Sequence, residues 1–174
     1  MVEQHGEWTT ELQTYDYGEG YYWSGGNHGC EIMKTEVCAY IPPYEWTKIF
    51  FNVANYDTDG FFGSTIPDCL VLPVGGFYAC SVNIGWSPTT RAATDLAIEI
   101  RSAIWGPIAY SIGHPTRVGS KYMVTFGQAI LSQGEEIGVY VRNGTGQALT
   151  LLSENMLCPK LTIQWIDNFY GVIP

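Results

Sequence analysis

The first residues whose types could support chemistry form the run Asn55-Tyr56-Asp57-Thr58-Asp59-Gly60. Alternating oxygen donors followed by glycine let a chain wrap around a hard cation, as an EF-hand loop does. The twelfth position counted from Asn55 is Ile66 rather than glutamate, and no helix is predicted on either side, so an EF-hand is excluded. Asp57 and Asp59 remain candidates for a cation that another loop helps to bind. The alternative is that this segment forms a simple turn.

Side chains that support catalysis are scattered along the chain. His5, His28 and His114 lie far apart, and the sequence lacks a nucleophile elbow, a P-loop and a dinucleotide fingerprint. Glu135 and Glu136 are adjacent before a predicted strand, so they point to opposite faces and suit glycosidic cleavage poorly. We predict that the protein is not an enzyme and that it binds no cofactor. A depolymerase whose carboxylates come from two chains remains the open alternative.

Aromatic residues in predicted loops suggest a second kind of chemistry, which is sugar binding. Trp86 and Trp105 are the candidates, because an indole ring offers a broad apolar face that can stack on a sugar ring. On this hypothesis the protein is a module that binds a carbohydrate or a receptor.

The composition indicates what kind of domain must position these residues. Of 174 residues, 46% are hydrophobic and 14% charged, which is enough for one domain with a substantial core and an appendage. The net charge of −9 has the wrong sign for neutralising phosphates, so nucleic acid is excluded as a partner. The sequence shows no export signal and no apolar run long enough to span a membrane. Five cysteines are an odd number, which favours reduced thiols over a disulfide framework.

Residues 1–45 differ from the rest of the chain in charge. They carry eight acidic residues against Lys34 alone, a net charge of −7, and leave −2 for residues 46–174. They are also rich in aromatic residues, which a solvated linker would lack because rings left in water gain nothing. We therefore predict an N-terminal arm, residues 1–45, that packs against the body, a sister subunit or another protein; a partly flexible leader is the alternative. The anchoring candidates are Trp8, Tyr15, Tyr17, Tyr21, Tyr22 and Trp23.

The body has the signals of an all-β domain. Short alternating runs of β-branched and aromatic residues are separated by glycine, proline, asparagine and aspartate. Residues 95–101 alternate most cleanly and predict a strand with one face in water. Eight to ten such strands are typical of a two-sheet sandwich or jelly roll. The predicted strands are residues 48–53, 69–74, 76–86, 95–101, 107–112, 121–131, 136–142, 147–152 and 160–166.

The order of four segments resembles the C1q/TNF-like jelly-roll family. Residues 50–62 are similar to its opening strand and turn, and residues 72–78 to its "P-x-x-G-x-Y" entry into a long central strand. Residues 129–141 resemble its "L-x-x-G-D-x-I-x-V-x-V" segment, with Glu135 where the family usually has aspartate. Residues 161–165 resemble its closing strand, so the resemblance covers residues 46–167.

The resemblance implies a homotrimer in which aromatic and aliphatic side chains meet on a threefold axis. The residues agree, because apolar side chains on both faces of a sheet exceed what a monomer can bury, and such patches mark interfaces. The interface candidates are Phe50, Phe77, Tyr140 and Trp165. The collagen-like stalk of the secreted animal members is absent, and stand-alone versions of the fold resemble domains on bacteriophage particles.

These observations predict a non-enzymatic virion protein of a bacteriophage, assembled in the host cytoplasm. It would be a homotrimeric jelly roll that decorates the capsid or forms a head fibre, and the arm would anchor it to the major capsid protein or another virion protein. We expect deletion of residues 1–45 to leave a folded trimer that no longer attaches. The alternative is a tail-fibre knob that binds a receptor or a host-surface glycan.

Overall fold

The structure is a computed structural model, and it describes residues 27–36, 40–63, 68–89, 95–113, 119–153 and 158–167. These residues form strands, turns and irregular segments. The strands are β1 (Gly29–Met33), β2 (Tyr40–Ile41), β3 (Trp46–Lys48), β4 (Val53–Asp57), β5 (Cys69–Val71), β6 (Gly76–Thr89), β7 (Leu96–Ser102), β8 (Gly106–Gly113), β9 (Gly119–Leu131), β10 (Glu136–Asn143), β11 (Leu149–Thr150) and β12 (Lys160–Asp167).

The strands build two antiparallel sheets that pack face to face. Sheet I has the order β4-β1-β12-β6-β9. Sheet II has the order β3-β10-β7-β8, with β5 paired to β10 beside β3. β2 and β11 form a third, two-stranded sheet that lies against β6 and β10. The predicted all-β sandwich is confirmed.

The core lies between the sheets and follows from the period-two alternation of the strands. On β6, Tyr78, Cys80, Val82, Ile84 and Trp86 all point inward and are inaccessible to solvent, as the alternation predicts. On sheet II, alternate residues of β7 and β10 meet them: Ile98, Ile100, Val139 and Val141. Two packed sheets therefore bury one face of each central strand.

The fold begins earlier in the chain than the predicted boundary before Trp46. β1 lies inside sheet I, between β4 and β12, and its side chains Cys30 and Ile32 are fully buried. The backbones come so close that a Cβ atom at Gly29 would lie 2.5 Å from the carbonyl oxygen of Ile163. Residues 29–33 therefore belong to the body and not to a separable arm.

Three predicted strands are shorter than expected. Of the strand predicted over residues 69–74, only Cys69–Val71 forms. The strand predicted over residues 48–53 does not form as one strand. β3 ends at Lys48, and β4 begins at Val53 in the other sheet. Ile49 and Phe51, between them, are buried in the core. Of the prediction over residues 147–152, only Leu149–Thr150 pairs as a strand.

β7 differs from its prediction in that its outer face is partly covered. Ala97 and Glu99 point away from the core but are nearly inaccessible to solvent. Arg101, on the same face of β7, pairs with Glu99 and stays partly exposed. The prediction of a wet face is therefore wrong for Ala97 and Glu99, whereas Asp95 is exposed as predicted.

Candidate functional site

The most prominent exposed surface is a row of large apolar side chains on β9. We call this set the β9 row: Tyr122, Val124, Phe126 and Ile130. All four point to the outer face of sheet I, and each is about half exposed or more. The outward residues of the neighbouring strand β6 beside them, Ala79, Ser81 and Asn83, are small or polar. Nothing among the described residues of the same chain therefore covers the β9 row.

The inner face of β9 at Gly127 leaves no room for a large side chain. Gly127 points inward, where a Cβ atom would lie 2.7 Å from the Cβ of Ala109 on β8 and 2.9 Å from the carbonyl oxygen of Ile108. The two sheets approach so closely here that bulky side chains do not fit between them. The strand places residues such as Thr125 and Gly127 inward and its rings outward.

The predicted interface residues do not form one surface. Phe77 lies on the outer face of sheet I, directly opposite Ile130, and so joins the β9 row. Tyr140 lies on the outer face of sheet II, and Phe50 is exposed in the segment between β3 and β4. The prediction that Trp165 is an interface residue is wrong. Trp165 lies on the inner face of sheet I beside its cross-strand partner Tyr78 and is buried in the core.

The two predicted sugar-stacking residues have opposite surroundings. Trp86 is 0% exposed and packs in the core near β11, where Leu151 forms a bridge with it. It cannot reach a ligand, so this prediction is wrong for Trp86. Trp105 is 70% exposed in the hairpin between β7 and β8 and is open to a ligand.

A buried carboxylate positions the hairpin that carries Trp105. Glu135 is 1% exposed and accepts a 2.8 Å hydrogen bond from the backbone N–H of Ser132 and a second from the Ser102 hydroxyl. The Ser102 oxygen in turn accepts the N–H groups of Ile104 and Trp105 at 3.0 and 2.9 Å. Such a network fixes the hairpin against the turn between β9 and β10.

Asp57 organises a turn. Its Oδ1 atom accepts the backbone N–H groups of Gly60 and Phe61 at 2.9 Å and its Oδ2 atom accepts that of Phe62 at 2.9 Å. Its oxygens therefore have backbone partners, which favours the turn over the cation site. No group of three metal-binding side chains occurs among the residues that the structure describes.

Asp59 is paired with a histidine rather than aimed at a cation. His28 Nδ1 lies 3.1 Å from Asp59 Oδ2, and the Thr58 hydroxyl also bonds to Asp59. Thr58 Oγ1 further accepts the N–H of Gly29 at 2.9 Å. These contacts attach the turn after β4 to the start of β1.

The cysteines that the structure describes are Cys30, Cys69, Cys80 and Cys158, and all are free and buried. Burial is the main cause that raises the pKa of Cys30 and Cys80 to about 12 and that of Cys69 to about 11. These three thiols are therefore protonated at neutral pH and are poor nucleophiles.

The anchoring candidates Trp8, Tyr15, Tyr17, Tyr21, Tyr22 and Trp23 lie outside the described residues, as does His114. Within the described part of the chain, no helix is long and apolar enough to cross a membrane.

Comparison with known proteins identifies the fold. No family model and no curated protein matches the chain. In structure it is similar to murine APRIL at pH 5.0, with a TM-score of 0.62 at 11% identity, covering 81% of this chain and 100% of that one. It is also similar to the globular domain of the zebrafish complement 1qA protein, with a TM-score of 0.52 at 14% identity, covering 82% and 99%. The chain therefore has the C1q/TNF-like jelly-roll fold.

Proposed function

We propose that this protein is a non-enzymatic structural component of a bacteriophage particle, a homotrimer that decorates the capsid or forms a head fibre. The observation that supports the trimer is the β9 row, four large apolar side chains exposed on the outer face of one strand. The resemblance in sequence supports the same assembly. The acidic, aromatic segment of residues 1–26 would then anchor the trimer to the major capsid protein or another virion protein.

Formation of a trimer would bury the apolar side chains that are exposed on the outer face of sheet I. Phe126 is 61% exposed on an outer face where its cross-strand partner is Ser81. Ring surface left in water contributes nothing to stability, while its burial contributes roughly 25 cal/mol per Å². Three copies packed around an axis would bury the row without changing the fold of each copy.

The oligomeric state tests this proposal directly. Light scattering of the full-length protein should give about 58 kDa, three copies of the 19.3 kDa chain. Phe126→Asp should give a monomer at micromolar concentration, because an unpaired carboxylate would be placed in the interface. Ile104→Asp is the matched control, since Ile104 is an equally exposed apolar residue (62%) away from the β9 row, and it should remain trimeric. A parent protein that is monomeric at high concentration would contradict the proposal.

The virion assignment has its own test. Mass spectrometry of purified particles, from a phage whose genome encodes this chain, should detect the protein in a copy number that is a multiple of three. Particles should keep it through washes that remove host proteins. Its absence from particles, with abundant protein in the infected lysate, would refute the structural role while leaving the trimer intact.

The alternative function, a tail-fibre knob that binds a receptor or host glycan, is favoured by one observation. Trp105 is held on a well-anchored hairpin and is open to solvent. Loss of adsorption to host cells in Trp105→Ala would favour this alternative.

A further inference from the structure

We propose that the outer face of sheet II binds an acidic glycan, a sugar chain that bears carboxylate groups. The inference concerns a different sheet from the β9 row and does not depend on the virion assignment. It rests on two aromatic rings that lie along the sheet, an arginine beside them and a set of ion pairs around them.

The rings belong to Trp46 on β3 and Tyr110 on β8, the two outermost strands of the β3-β10-β7-β8 order. Strands that are three positions apart are separated by about 14 Å. The two ring centroids are nevertheless only 6.1 Å apart. Both side chains must therefore lean over β10 and β7 and lie along the surface instead of standing out from it.

Below the rings the sheet is flat and closed. Ala97 on β7 is small and nearly inaccessible, and its cross-strand partners are Arg142 and Ile112. The rings themselves remain open, with Trp46 39% and Tyr110 49% exposed. The two ring planes are tilted by 53° to each other. Together they form an aromatic platform, an open apolar surface of two inclined rings, on which one apolar face of a sugar ring can pack.

The charged side chains around the platform are held in ion pairs, with one exception. Arg101 pairs with the buried carboxylate of Glu99, and Lys48 Nζ lies 2.7 Å from Asp68 Oδ2. Both cations also lie near the Tyr140 ring, which they approach from the strands on either side of β10. These contacts hold the surface rigid and leave its charges close to balanced.

Arg142 is the exception, and it selects the ligand. It is exposed on β10 as the cross-strand neighbour of Trp46, and no carboxylate pairs with it among the described residues. A guanidinium group binds a carboxylate through two parallel hydrogen bonds. In a chain of net charge −9, this unpaired cation beside two open rings favours an anionic ligand that also has an apolar face. A sugar with a carboxylate, such as a uronic or sialic acid, has both properties.

The experiment measures binding by calorimetry and saturation-transfer NMR on the full-length protein. The probes are trigalacturonate and sialyllactose, with lactose as the neutral sugar and inorganic sulfate as the anion without a sugar. We expect at least one of the two acidic glycans to bind at least about tenfold more tightly than lactose, and sulfate not to bind. Failure of both acidic glycans to bind at millimolar concentration would overturn the proposal.

Variants separate the platform from the charge. Trp46→Thr and Tyr110→Thr keep a strand-forming residue and should each weaken binding of every sugar by about tenfold or more. Arg142→Gln should weaken only the acidic glycans, so that they bind like lactose. Trp105→Ala, which removes the exposed tryptophan of the hairpin between β7 and β8, should bind like the parent.

Several results would overturn the assignment. Binding that persists in both threonine variants would exclude the platform, and binding lost in Trp105→Ala would move the site to the hairpin. A lower oligomer mass in Trp46→Thr or Arg142→Gln would identify the face as a contact between copies of the chain. Thermal unfolding of each variant, matched to the parent, ensures that lost binding reflects the site and not the fold.

Discussion

Deletion of residues 1–45 should abolish folding, whereas deletion of residues 1–26 should leave the fold intact. The longer deletion removes β1, which lies between β4 and β12 and fills the core with Cys30 and Ile32. β4 pairs only with β1 among the described strands, so it would lose its place in the sheet as well. The shorter deletion keeps every described strand. Circular dichroism and thermal unfolding of the two purified fragments measure the difference.

This expectation reverses the one that composition suggests, in which residues 1–45 are a detachable arm. A fragment of residues 46–174 that unfolds cooperatively near the temperature of the full chain would show that β1 is dispensable. The fragment that begins at residue 27 serves as the control. It also separates anchoring from folding, because on our proposal it should still form a trimer but fail to attach to particles.

Replacing Trp86 by alanine should lower the free energy of unfolding by about 3–5 kcal/mol, the range for large aromatic residues truncated in a core. The side chain is among the largest that are fully buried, and it belongs to the core between the two sheets. Its indole N–H has no hydrogen-bond partner among the described residues, so its contribution comes from packing. Urea unfolding at one fixed protein concentration measures the loss.

Two further variants test whether burial of the ring causes this loss of stability. Trp86→Phe keeps most of the packed ring and removes the unpaired N–H group, so it should cost much less than alanine. Trp105→Ala, at the exposed counterpart, should change the free energy of unfolding by no more than about 0.5 kcal/mol. Equal effects of Trp86→Ala and Trp105→Ala would contradict the burial that distinguishes the two residues.

The central strands could be predicted from the sequence because alternation is a local property. The run from Tyr78 to Trp86 places every second apolar residue on one face, and the structure buries that face. The same alternation also predicts an inward Trp86, but its position at the end of the predicted strand, beside a predicted loop, favoured the wrong interpretation as a ligand-binding residue. β1 was missed because its five residues are surrounded by acidic and glycine-rich sequence that resembles an arm.

The candidate surfaces were harder to predict, because alternation shows that two faces differ but not which one faces the core. For residues 121–131 the sequence predicts a strand but not which face is buried. The inward position of Gly127 depends on the close approach of Ala109 from the other sheet, which no local pattern contains. The aromatic platform likewise joins Trp46 and Tyr110 across four strands, so only the strand order brings them together.

The position of β9 also affects the tendency of single copies of the chain to aggregate. β9 is the last strand of its sheet and carries two aromatic and two β-branched side chains outward. Terminal strands of this kind recruit other strands and nucleate aggregates. If the proposed trimer forms, single copies that have not yet associated are the species most prone to aggregate through this surface.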